Sequence, residues 1–79
     1  MSPDSIESRL LDLAAKRFGK SRETLTPTDD MFSKLGIDSF QAMELMTDVE
    51  EEFDVEIPDY ELKGVTTFVA LAGVIGKRL

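Results

Sequence analysis

Leu35-Gly36-Ile37-Asp38-Ser39-Phe40-Gln41-Ala42-Met43-Glu44-Leu45-Met46-Thr47-Asp48-Val49-Glu50-Glu51-Glu52-Phe53 turns a loop into an amphipathic helix, and its reading decides the fold. Asp38 precedes the periodic stretch and Gln41 stands three residues on, the spacing of a capping box, so the helix begins at Asp38 with Ser39 at its first helical position, facing outward. Stepping 100° per residue places Ala42, Leu45, Met46, Val49 and Phe53 within one arc, the core-facing stripe. Glu44, Asp48, Glu51 and Glu52 gather opposite. Phe40, Met43 and Thr47 fall between the two, which leaves two large apolar side chains exposed beside carboxylates just past Ser39. Such a patch marks a docking surface unless neighbouring loops cover it.

An exposed hydroxyl at a helix start is well placed to carry a phosphate ester, because free backbone N–H groups and the positive end of the helix dipole both favour an anion there. Asp and Ser before a helix are also ordinary caps, so the dipeptide alone does not decide between the two roles.

Outward from this helix the chain reads as one domain, residues 1–79. Upstream, Ser2-Pro3-Asp4 opens a first helix carrying Ile6, Leu10, Leu13, Ala14 and Phe18 at 3–4 residue spacing until Gly19. From Lys20 to Ile37, turn formers such as Thr26, Pro27, Asp29 and Asp30 are interleaved with Leu25, Met31, Phe32 and Leu35, predicting a long ordered loop pinned to the core. Downstream, Asp54 to Pro58 is a loop, Asp59 to Lys63 a short helical turn stopped by Gly64, and Thr66 or Thr67 caps a last helix ending in Lys77-Arg78. The predicted fold is all-α: a small four-helix bundle of three main helices and one short one, with a long first loop and no sheet.

Composition excludes much. Seventy-nine residues allow one thin core and no deep catalytic cleft. Cys and His are both absent, so disulfides, thiolate nucleophiles, Cys/His metal centres and a Ser-His pair are excluded, and any thioester chemistry would need a thiol from outside the polypeptide. No stretch approaches the ~20 apolar residues of a membrane span, so a soluble cytoplasmic monomer is expected. The net charge is −7, distributed as −10 without a single Lys or Arg between Leu35 and Leu62 against +3 in the flanks. That polarity argues against nucleic acid and for partners with basic patches. The acids from Asp48 onward do not form an EF-hand loop, since Phe53 stands where its Gly belongs.

Leu35-Gly36-Ile37-Asp38-Ser39-Phe40, Met43-Glu44-Leu45, Val49-Glu50-Glu51-Glu52-Phe53, Ile57-Pro58-Asp59 and Val65-Thr66-Thr67 together resemble the acyl carrier protein family, in order and along most of the chain. The resemblance implies a non-enzymatic carrier: Ser39 bears a 4′-phosphopantetheine arm taken from coenzyme A, with Asp38 helping to present it, and the arm's thiol holds acyl groups as thioesters. It implies that Phe40, Met43, Glu44, Thr47, Asp48 and Glu51 face a phosphopantetheinyl transferase and acyl-processing enzymes of fatty-acid or polyketide biosynthesis. Leu45, Met46, Val49 and Phe53 would form the core and line a space for the chain. Phe40 replaces the Leu that follows the serine in many fatty-acid-synthesis members, so a specialised pathway, including an aminoacyl or peptidyl one, stands beside the housekeeping role. The alternative from another class is an acidic helical adaptor that binds a basic protein and needs no serine. A chain that starts with Met and ends one helix past the core reads as free-standing.

Overall fold

The computed structural model describes residues 5–79 as four α-helices, with no strand among the described residues. They are α1 (Ile6–Phe18), α2 (Met31–Leu35), α3 (Ser39–Phe53) and α4 (Phe68–Arg78), joined by 3₁₀ turns at Arg22–Thr24 and Asp59–Leu62. The all-α four-helix architecture is the expected one. Ser2-Pro3-Asp4, expected to open the first helix, lies outside the described residues; α1 starts at Ile6, where the Ser5 side chain accepts from Ser8 N–H at 3.2 Å. Gly19 closes it in the left-handed conformation, φ 66°, which costs glycine little.

The segment read as a loop from Lys20 to Ile37 contains the short helix α2. Asp30 caps its start by accepting from Ser33 N–H at 3.0 Å, and Gly36 at φ 66° ends it after five residues. The short helical turn expected at Asp59–Lys63 is the 3₁₀ turn Asp59–Leu62, followed by Gly64 at φ 78°. The long connection is pinned as expected: Leu25, Met31 and Leu35 are buried, Met31 N–H donates to Thr66 O at 2.7 Å and Val69 N–H to Pro27 O at 2.7 Å. These bonds join the start of α2 to the start of α4, and neither bond is between residues close in sequence.

α1 packs against both α3 and α4. Its buried face is Leu10, Leu11, Ala14 and Ala15, rotated slightly from the stripe that the spacing suggests, with Ile6, Leu13 and Phe18 half-buried at its margins. From α3 come Leu45, Val49 and Phe53; from α4 Phe68, Leu71, Ala72, Val74 and Ile75. Phe68 is fully buried and is the largest side chain at the centre, so the aromatic that follows the Thr67 cap anchors α4 as well as starting it. All buried side chains in this core are apolar, which suits a small domain where each fully buried Val, Leu, Ile, Phe or Met contributes about 1.5–3 kcal/mol.

Candidate functional site

The turn between α2 and α3 is built from both sides. Gly36 and Ile37 donate their N–H groups to Phe32 O at 2.9 and 3.2 Å, closing α2, and the Ile37 side chain packs half-buried against the core. Asp38 then caps α3. Its carboxylate accepts from Gln41 N–H at 2.9 Å, and Gln41 Oε1 accepts from Asp38 N–H at 3.2 Å. The capping box read in the sequence is therefore formed.

With the cap supplied by Asp38, Ser39 is left exposed at the first helical position. The capping pair uses the N–H groups of Asp38 and Gln41, so those of Ser39 and Phe40 stay at the positive end of the α3 dipole without intrahelical partners. A hydroxyl so placed fits a phosphate ester in both access and electrostatics.

From Ser39 the exposed line of α3 continues through Phe40 (70% exposed) and Met43 (61%) to Thr47. Both large apolar residues stand in solvent, and no loop among the described residues folds over them. Thr47 Oγ1 donates to Met43 O at 3.2 Å, which ties it to its own helix. Glu51 is exposed one turn further on.

Glu44 and Asp48 are engaged. Arg17 of α1 donates from Nε and Nη2 to the two carboxylate oxygens of Asp48, the second at 3.0 Å, and its Nη1 lies 3.9 Å from Glu44 Oε1. The hydrogen bond it donates to Asp48, more than the charges of Asp48 and Glu44, holds the Arg17 guanidinium pKa above its ordinary value. A turn further along, Arg9 reaches Glu52 Oε2 at 3.1 Å and lies 4.4 Å over the Phe53 ring. Of the ten acids in the base-free stretch, Glu44, Asp48, Glu52 and Glu61 thus find cations from α1 or α4. Arg17 was not found by reading the sequence. The signal available was only the demand of ten acids for bases outside their own segment.

Behind the helix start lies an apolar cavity of about 90 Å³, lined among others by Phe32, Ile37, Ala42, Leu45, Met46 and Leu62. Leu45 and Met46 occupy the place expected for a chain-lining role, whereas Val49 and Phe53 are buried away from this cavity in the core. Its volume is well below the roughly 300–1,000 Å³ of sites that enclose whole ligands. Groups of three or more acidic, His or Cys side chains able to hold a metal ion do not occur among the described residues.

A family model described as "Phosphopantetheine attachment site" matches residues 8–75. Among curated proteins, the chain is 34% identical over 67 residues to an acyl carrier protein from Syntrophobacter fumaroxidans (strain DSM 10017 / MPOB), an alignment covering 85% of this chain and 83% of that protein.

Proposed function

The chain belongs to the acyl carrier protein family, whose cofactor is 4′-phosphopantetheine, and on that footing we propose that Ser39 is the residue that bears the arm. The observation that carries the assignment is the division of labour at the start of α3: Asp38 caps the helix, so the exposed Ser39 hydroxyl is not needed for stability. Asp38 and Gln41 set the direction of the turn and so the direction in which Ser39 leaves the surface. When attached, the arm supplies the thiol that a chain without cysteine lacks.

The role is carriage rather than catalysis. A carrier raises the local concentration of its cargo at each enzyme it docks, by tethering and not by bond chemistry of its own. The docking face in this reading is Phe40, Met43, Glu44, Thr47, Asp48 and Glu51. Its exposed Phe40 and Met43 supply an apolar centre and its acids a rim that suits basic patches on a phosphopantetheinyl transferase and acyl-processing enzymes. The cargo is an acyl group of fatty-acid or polyketide type; the relative's name, acyl carrier protein, supports the acyl class. The cavity beneath Ile37 and Ala42 is small, so a cargo longer than a few carbons enters it only if the side chains that line it move aside. A single domain, a monomeric state and a cytoplasmic location belong to the same proposal; among the described residues no helix is long and apolar enough to cross a membrane.

The test is a thiol titration. The polypeptide contains no cysteine, so thiol reagents detect nothing in the unmodified protein. After incubation with coenzyme A and a phosphopantetheinyl transferase, followed by removal of free coenzyme A, one thiol per chain is expected. No thiol would remove the proposed function.

A further inference from the structure

The docking face contains two kinds of carboxylate. Glu51 is exposed and has no cation within ion-pair distance among the described residues, and Glu44, with 44% of its side chain exposed, is touched only at 3.9 Å. Asp48 differs: its side chain is 24% exposed and both its oxygens are held by one guanidinium. A two-nitrogen fork on a carboxylate is the most complete ion pairing a side chain can make.

We infer that Arg17 withholds Asp48 from docking partners and so sets which partners the face accepts: those whose basic groups meet Glu44 and Glu51, with an apolar pocket for Phe40 and Met43. A partner base aimed at Asp48 would have to displace Arg17, exchanging one ion pair for another with little net gain. It would also leave the freed guanidinium against its own basic patch, and like charges juxtaposed at an interface are unfavourable. Lys16, beside Arg17 in the same α1–α3 groove, makes no ion pair with Asp48 and is the charge-matched comparison for Arg17. A partner's basic groups are thus met by Glu51 and Glu44, whose carboxylates stay exposed, and turned away from Asp48. This inference rests on the carrier reading, with α3 as the docking helix.

The experiment measures dissociation of the unmodified protein from a phosphopantetheinyl transferase, without coenzyme A so that no transfer occurs, by stopped-flow displacement. Arg17→Met keeps most of the side-chain stem and releases Asp48; it is expected to slow dissociation about two- to fivefold, the scale of one exposed ion pair. Adding Asp48→Asn to that variant is expected to return dissociation to the wild-type rate. Lys16→Met changes net charge equally and is expected to leave dissociation within twofold of wild type. Equal slowing by Lys16→Met would reduce the effect to net charge, and unchanged or faster dissociation of Arg17→Met would overturn the inference directly. If Arg17→Met loses its helical circular dichroism, Arg17→Lys decides: it keeps the charge but not the fork, so a smaller slowing is expected and none overturns the inference. A wild-type chain that takes up no phosphopantetheine overturns the carrier reading and this inference together. A chain that is modified normally but shows the wrong dissociation pattern overturns only the role of Arg17.

Discussion

Asp38 and Gln41 hold each other reciprocally across the first turn of α3, carboxylate to Gln41 N–H at 2.9 Å and Gln41 Oε1 to Asp38 N–H at 3.2 Å. Ser39 lies between them and takes no part in the cap. Stability and function are therefore separable at adjacent residues. Ser39→Ala is expected to leave the melting temperature within about 2 °C of wild type, while Asp38→Ala removes the cap and costs about 1 kcal/mol, roughly 4–8 °C in a domain of this size. Thermal melts followed by circular dichroism check both, and a larger loss from Ser39→Ala than from Asp38→Ala would show that the serine is the true cap.

Glu61 ties the 3₁₀ turn before Gly64 to the end of α4. The hydrogen bond from Arg78, more than the nearby Lys77 and the burial that opposes both, holds its carboxyl below the ordinary range. A carboxyl depressed in the folded state contributes fully above its unfolded value of about 4.3, and that contribution is lost as pH falls through the lower folded value. Glu61→Gln is therefore expected to melt about 2–4 °C below wild type at pH 7, with the gap closing below about pH 4. A gap that persists unchanged to pH 3 would mean that the charge of Glu61 is not what is lost.

Salt separates the paired acids from the rest. Glu51, Asp54, Glu56 and Asp59 are exposed without a cation at ion-pair distance among the described residues, on a chain of net charge −7. Screening that repulsion outweighs weakening a handful of exposed pairs. Raising NaCl from roughly 0.02 to 0.5 M is expected to raise the melting temperature by several degrees, and millimolar Mg²⁺ to do so as well. A melting temperature that falls with salt would show that the pairs from Arg9, Arg17 and Arg78 dominate instead.

Met43 and Glu44 are expected to fail differently. Met43 is 61% exposed, so Met43→Ala keeps the fold and speeds dissociation from a transferase even at high salt, as loss of an apolar anchor does. Glu44→Lys instead slows association, about tenfold or less, and the defect shrinks as salt rises because rim charges act mainly on encounter. Stopped-flow binding at two ionic strengths distinguishes the two patterns; a Met43→Ala chain that binds normally would take the apolar centre out of the proposed face.

What was legible in the sequence was local. The cap at Asp38, the Gly19 end of α1, the ends of α4 and the exposure of Phe40 and Met43 each follow from residues within a turn or two of each other. α2 was missed because its cap, Asp30, sits among turn formers and five residues are too few to show a period. The Asp48 contact escaped for a different reason: Arg17 lies 31 positions away, and only the packing of α1 on α3 decides which acid it meets. The same packing explains why Val49 and Phe53 serve the core while Leu45 and Met46 border the cavity.

The assignment of Ser39 as the residue bearing the arm is tested most directly by intact mass. Wild-type protein and Ser39→Ala, each shown to be folded by circular dichroism, are incubated with coenzyme A and a phosphopantetheinyl transferase. Wild type is expected to gain the mass of one phosphopantetheine and the alanine variant none. Equal gain by the variant, or none by either, would contradict the assignment.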